Sequence, residues 1–298
     1  MVKSNVADPS HSLLAPVEST PSRPAIRLIA ADIDGTLLNH EFHISDGDLA
    51  ALRRAHGEGV EVMLVTGRRH DFALPIAKML GFDLWIASSN GAITRSLTGE
   101  TFHKDFLPAA VCRELCEKTQ EFRGHNVLTF DTGGKGAIVL EHMDELSESI
   151  QRWLEKNLEY IDFVIPVEKS LTRDPVQSMY CGRIARMQEV LRAIEQTGLP
   201  VTVLRTEYAV RDLSIVDVLN QGCSKGHALE RWATHRGIGR EQVMAIGDNY
   251  NDIEMLEFAG HPFVMANASE DLRGRGWNLT LSNSECGVAA AVSRMMGW

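Results

Sequence analysis

The sequence predicts a two-part α/β protein: a three-layer core built on a parallel sheet, interrupted by an α+β insert. Three observations carry this. From Arg27 to Ala92, and again from Asn220 onward, apolar stretches of strand length alternate with stretches of helix length. That is the rhythm of right-handed βαβ units. Between these segments the pattern changes to short paired strands with two or three helices. Finally, the apolar strands of the outer segments end in polar residues, and in a parallel sheet such ends collect along one edge, where ligands bind. The expected division is a core of residues 24–94 and 219–298 and an insert of residues 95–218. Residues 1–23 are expected to be a disordered tail, with too short an apolar patch for a signal peptide.

Taken in order, Leu28-Ile29-Ala30-Ala31 is a buried strand that ends in Asp32-Ile33-Asp34-Gly35-Thr36. Ser45, with Asp48 three residues on, marks a helix start close to a capping box. That helix runs to about Ala55, before Gly57 and Gly59. The second strand, 60–65, ends in Thr66-Gly67-Arg68. A helix over 71–80 stops at Gly81. The third strand, 84–87, ends in Ser88-Ser89-Asn90-Gly91-Ala92. In the insert, Thr98-Gly99-Glu100 turns between two short strands, and a helix with Pro108 near its start runs to about Phe122. Strands over 126–130 and 137–141 follow, then a helix over 144–157 and strands over 160–165 and 176–181. A helix over 187–196 precedes strands over 201–207 and 214–218. Ser224 or Lys225 opens the next helix, which reaches about His235. A buried strand over 243–246 ends in Gly247-Asp248-Asn249-Tyr250-Asn251-Asp252. A helix through Met255 and Leu256, strands over 262–265 and 277–281, and a helix over Gly287–Met296 complete the chain.

Of the 298 residues, 44% are hydrophobic and 23% charged, ordinary for a soluble globular chain. A net charge of −10 gives no electrostatic support for nucleic-acid or anionic-membrane partners. No apolar run is long enough to span a bilayer. Cys112, Cys116, Cys181, Cys223 and Cys286 are scattered, as expected of reduced, semi-buried thiols in a cytoplasmic protein. Thr132-Gly133-Gly134-Lys135-Gly136 lacks P-loop spacing and reads as a turn. The histidines form no ligand spacing. The oligomeric state stays open between monomer and homodimer.

Residues i and i+2 of a strand face the same way, so Asp32 and Asp34 leave their strand pointing into one space. Like charges that close are costly unless a cation or a shared proton compensates them. An acidic turn is the competing reading of this segment alone. Thr66-Gly67-Arg68 alone is likewise an ordinary strand-to-loop turn. Asp248 and Asp252 alone suit a helix N-terminus, whereas Lys225 alone is a solvated lysine at an unfavourable end of a helix.

Together, Asp32-x-Asp34-Gly35-Thr36-Leu37-Leu38, Thr66 at a strand end, Lys225 opening a helix and Gly247-Asp248-x-x-Asn251-Asp252 resemble, in order, the four motifs of the haloacid dehalogenase (HAD) superfamily of phosphohydrolases. Asn90-Gly91-Ala92 and Ser224-Lys225-Gly226-x-Ala228-Leu229 are similar to its Cof-type branch (subfamily IIB), and the insert resembles a C2B cap domain. The resemblance covers about residues 24–298. It implies a Rossmann-like core with an inserted cap, and a Mg²⁺-dependent phosphatase of a small phosphorylated metabolite: a sugar phosphate, a nucleotide or a flavin-pathway intermediate.

The resemblance also implies roles. Asp32 is the nucleophile of an aspartyl-phosphate mechanism, Asp34 the general acid and then base, and Lys225 a positive charge on the transferring group. Mg²⁺ falls to Asp32, Asp34 through its backbone carbonyl, and Asp248, with Asp252 an outer ligand or the partner of Lys225. Thr66, Gly67, Arg68, Asn90 and Asn251 are implied in phosphate or substrate binding. Arg68 is alternatively half of a surface ion pair, and Asn251 alternatively fixes Lys225. The cap is expected to cover the site and read the leaving group. A phosphotransferase or mutase on the same core is one rival, and a non-catalytic phosphometabolite-binding protein another. One departure stands out: Cys286 occupies the place where the family commonly has an acidic residue before the Gly-Val of the last helix. It predicts a local packing change without loss of chemistry.

Overall fold

The computed structural model describes residues 26–298; the tail expected over residues 1–23 lies outside the described residues. The chain opens with Leu28–Ala31 (β1), Asp46–Gly57 (α1), Glu61–Val65 (β2), His70–Met79 (α2), Trp85–Ser88 (β3), Ile93–Ser96 (β4) and Thr101–Lys104 (β5). There follow Ala109–Lys118 (α3), Asn126–Thr129 (β6), Ile138–Leu140 (β7), Glu148–Glu155 (α4), Ile161–Phe163 (β8), Gln177–Gly182 (β9), Ile184–Thr197 (α5), Val201–Tyr208 (β10) and Leu213–Asn220 (β11). The last segment is Lys225–His235 (α6), Val243–Gly247 (β12), Ile253–Phe258 (α7), His261–Val264 (β13), Glu270–Arg273 (α8), Asn278–Leu279 (β14) and Gly287–Met296 (α9).

The first sheet runs β14-β13-β12-β1-β2-β3-β4-β5 and is parallel from β14 to β3. The alternation of a strand sorts its side chains into two layers. Ile29 and Ala31 of β1 pack with α1, α2 and α9 through Leu52, Ile76 and Val292. Leu28 and Ala30 pack on the other face with α6 and α7, through Leu229, Trp232 and Leu256. Both faces are covered, which is why these strands read as unbroken apolar runs.

The hairpin β4–β5 pairs antiparallel onto β3. Residues 95–104, assigned to the insert from sequence, are therefore hydrogen-bonded into the first sheet. A change from parallel to antiparallel pairing marks an edge of the same sheet, and the sequence rhythm registers only that the pattern changed.

The second sheet runs β10-β11-β9-β6-β7-β8, antiparallel except for β7–β8. α3 and α5 cover one of its faces through Leu115, Met187, Val190 and Ile194. The other face turns toward the C-terminal edge of the first sheet. The two crossings between the sheets are stapled by Asn220 Nδ2, which donates to Asp105 Oδ1 at 2.6 Å. α3 ends at Lys118, short of the expected Phe122, and continues as 3₁₀ turns over Gln120–His125. There the Thr119 hydroxyl donates to the Leu115 carbonyl at 2.7 Å. The expected turn at 132–136 joins β6 to β7. All five cysteines are free, four of them fully buried rather than half-buried. Among the described residues, no helix is long and apolar enough to cross a membrane.

Candidate active site

β1 lies between β12 and β2, and the chain leaves it toward β2 and returns on its other side through β12. A crevice opens at such a switch point, beyond the C-terminal ends of the strands. Asp32 enters it first, held by its N–H to the Ile246 carbonyl at 3.0 Å. Lys225, at the first turn of α6, is 1% exposed. Its ammonium donates to Asp32 Oδ1 at 2.7 Å and to Asp252 Oδ1 at 2.6 Å. Two carboxylates therefore override the unfavourable helix end, and the solvated-lysine reading does not hold.

Asp252 is already engaged through both oxygens. Its second oxygen accepts the N–H groups of Asp248 and Asn249, both at 3.0 Å. Of the two roles considered for it, partner of Lys225 is the one the geometry displays. Asp248 is steadied by the Thr36 hydroxyl, which donates to Oδ1 at 2.8 Å. Gly35 has φ +86°, and a Cβ there would collide with the Asp248 carboxylate, so both backbone and packing require glycine. One oxygen from each of Asp32, Asp248 and Asp252 lies within 4.8 Å of the other two, a buried set able to hold a metal ion.

The electrostatics follow from burial. Desolvation pushes the Asp32 carboxyl up to about 7, against the opposing pull of Lys225. Burial, then Asp32 and Asp252, hold Asp248 well above the usual carboxylate range. Burial works against the Lys225 charge, but Asp252 and Asp32 outweigh it and raise its pKa. Fully ionised, three carboxylates against one ammonium leave a formal charge of two negatives, which a divalent cation balances.

Around this cluster a cavity of about 580 Å³ opens between the sheets, lined on the core side by Asp32, Asp34, Thr66, Gly67, Arg68 and Asn251. Arg68 grips Asp34 with both prongs of its fork, Nε to Oδ2 and Nη2 to Oδ1, each at 2.6 Å. Of the two expectations for Arg68, pairing is the one realised, within the crevice instead of on the surface. The Thr66 hydroxyl accepts the Arg68 N–H at 3.1 Å and keeps its own hydrogen to donate.

Asn90 departs from its expected place on the phosphate. It is fully buried in a left-handed conformation, φ 54°, which asparagine tolerates better than most residues. Its Oδ1 accepts Asn251 Nδ2 and its Nδ2 donates to Asp217 Oδ2, both at 2.9 Å. Asn90 thus positions Asn251 rather than facing the cavity. Nor does Asn251 fix Lys225, since its amide goes to Asn90. The reason is reach: the loop after β3 must bond to the insert, and the short Asn90 side chain is used up there.

Asp217, on β11, is a residue the sequence reading missed. The signal was one acid in an otherwise apolar strand. Burial raises its pKa from 3.8 to about 7. Between those values the native state holds a proton that the unfolded chain has lost, so stability falls as pH rises through that window and levels off above it. We expect the melting temperature of the native protein to drop relative to Asp217→Asn by a few degrees from about pH 4.5 to 7.5. Parallel pH–melting curves for the two proteins would show the raised carboxyl to be wrong.

Two further residues tie core to insert or replace an expected group. The Asn249 side-chain amide exchanges hydrogen bonds with the backbone of Glu207 on β10, both at 3.0 Å. At Cys286, Asp48 of α1 supplies the missing carboxylate by accepting the Ala289 N–H of α9 at 2.7 Å. The Ser45 hydroxyl meets Cys286 Sγ at 3.3 Å.

The comparisons with known proteins agree with this geometry. Residues 29–292 match the family of haloacid dehalogenase-like hydrolases. The chain is 28% identical to the phosphatase YwpJ of Bacillus subtilis over 302 residues, covering 91% of this chain and all of that one. It is 30% identical over 253 residues to the HMP-PP phosphatase of Escherichia coli (strain K12 / DH10B), covering 83% of this chain and 86% of the other. A crystal structure of a haloacid dehalogenase-like hydrolase from Bacteroides thetaiotaomicron superposes with a TM-score of 0.72 at 30% identity, over 91% of this chain and 99% of that one. The chain belongs to the haloacid dehalogenase-like hydrolase family, as a phosphatase.

Proposed function

We propose that this phosphatase hydrolyses a small phosphomonoester through an aspartyl phosphate on Asp32, with Mg²⁺ as its metal. The observation that carries the reading is the buried Lys225 ammonium on Asp32 at the mouth of a cavity that also holds Asp34, Thr66 and Arg68. In the first step an Asp32 oxygen attacks phosphorus, the bond to the leaving oxygen breaks, and Asp34 gives that oxygen its proton. In the second, Asp34 takes a proton from water, the resulting hydroxide attacks phosphorus, and the bond to Asp32 breaks to release phosphate. Lys225, the Thr66 hydroxyl and Asn251 stabilise the phosphoryl oxygens. The Arg68 fork suits a phosphate as well as a carboxylate, so substrate competes with Asp34 for it and frees the acid.

The donors fit a hard cation, being all oxygen: Asp32, the Asp34 backbone carbonyl and Asp248 would hold Mg²⁺, with Asp252 behind them. When bound, it offsets the repulsion between an anionic nucleophile and an anionic phosphate. In this reading the insert, expected over residues 95–218, is a cap that roofs the site and excludes bulk water.

Phosphate release from a panel of phosphorylated metabolites, HMP-PP among them, tests the proposal. We expect release with Mg²⁺, loss with a chelator, and recovery on adding Mg²⁺ back. Mg²⁺ should also raise the melting temperature of chelator-treated protein, because it binds the native cluster. Equal release with and without chelator would remove the metal from the mechanism.

A further inference from the structure

The cavity does not end at the acids. It extends along the inner face of the second sheet, where β9 turns Gln177, Met179 and Cys181 toward it. The alternate residue Tyr180 goes to the opposite face, against α3 and α5. The side wall is aromatic. Phe72 of α2 packs edge-on against Trp153 of α4 and against Tyr160, with ring centroids 5.1 and 5.4 Å apart. A chamber with an aromatic side wall thus continues from a strongly polar phosphate end.

The rest of the lining is mixed, with Asn157, Glu159, Thr206 and Asp217 also on it, and two unmet polar atoms stand on neighbouring strands. Gln177 Oε1 and Thr129 Oγ1 are buried and have no hydrogen-bond partner among the described residues. Both residues line the cavity, and they stand directly opposite each other in the β6–β9 pairing. With Asp217 ionised, above about pH 7, the amide is held in this orientation, because Gln177 Nε2 donates to Asp217 Oδ1 at 3.1 Å. The oxygen is therefore an acceptor without a protein partner, and a buried acceptor left unmet is costly. A donor on a ligand would answer it.

Resting on the phosphatase reading above, we propose that the chamber receives the leaving group of the substrate, a flat aromatic or heteroaromatic ring with an N–H or O–H donor on Gln177 Oε1 and Thr129 Oγ1. The ring's faces and edges suit the Phe72, Trp153 and Tyr160 wall. A polyhydroxylated sugar gains less from that wall, because hydroxyls set against it would face carbon without partners.

The test compares kcat/KM, in Mg²⁺ buffer at pH 8 and with the full chain, for glucose 6-phosphate, benzyl phosphate, and 3- and 4-aminobenzyl phosphate. We expect benzyl phosphate to exceed glucose 6-phosphate by about 10-fold or more, and the better aminobenzyl ester to exceed benzyl phosphate by about 10-fold again, for one buried hydrogen bond. In Gln177→Met the amino-to-benzyl ratio should fall to about 1. It is a ratio within one protein, so general loss of folded enzyme does not mimic it. Thr129→Val, on the neighbouring strand, gives the same reading if Gln177→Met does not fold. Glucose 6-phosphate equal to or better than benzyl phosphate would overturn the proposal and leave the phosphatase reading standing. So would an amino-to-benzyl ratio that survives both substitutions. If none of the four esters is cleaved, calorimetry with benzyl phosphate separates the two. Binding without cleavage keeps the chamber and ends the hydrolytic mechanism, whereas no binding ends both.

Discussion

Asp32→Asn is expected to lower phosphate release by about 10³-fold or more, with no loss of stability. The amide keeps the shape of the carboxylate but is no nucleophile, and no phosphoenzyme can form on it. Acid-quenched native protein should carry the mass of one phosphoryl group during turnover, and the variant none. Stability moves differently. Asp32 shares a buried space with Asp248 and Asp252, so removing its charge relieves repulsion while Lys225 keeps its 2.6 Å bond to Asp252. The melting temperature in metal-free buffer should hold or rise. Turnover within about 10-fold of native would show that Asp32 is not the nucleophile.

Lys225→Met is expected to be the reverse case: near-complete loss of activity together with a marked loss of stability. Methionine nearly conserves the volume, so the change is one of charge. It strands Asp32 and Asp252 in a buried site, and breaking a buried ion pair from one side costs about 3–5 kcal/mol. For a chain of this length that is a melting-temperature drop of about 5–8 °C. The deficit should shrink at acid pH, where the carboxyls take up protons, and in part with Mg²⁺, which restores positive charge. Activity should return in neither case. A variant that melts with the native protein at pH 8 would mean that the ammonium is not what makes the acidic cluster tolerable.

Much of the site was legible because it is written at the ends of strands. Asp32 follows an apolar run, Thr66 follows another, and Asp248 a third; in a parallel sheet those ends must meet. Lys225 was legible as an oddity, a cation at the wrong end of a helix. The partners were less so. Arg68 was left between substrate and surface, and it grips Asp34 instead. Asn90 was placed on phosphate, and it holds Asn251. Asp217 drew no notice in a strand that was recognised correctly.

The sequence by itself determined the local facts: which stretches are strands or helices, roughly where most of them stop, and which charges stand at their ends. These follow from periodicity, caps and glycines, which act over a few residues. Tertiary structure alone decided who meets whom. Lys225 lies 193 residues from Asp32, Asn90 lies 127 from Asp217, and Asp48 lies 241 from the backbone it caps. Periodicity tells which face a side chain occupies but not what stands opposite, because that depends on strand order and on how the second sheet roofs the first. Burial is likewise a property of the assembled chain. It raises Asp217 and Asp32 to about 7 and leaves Gln177 Oε1 without a partner among the described residues.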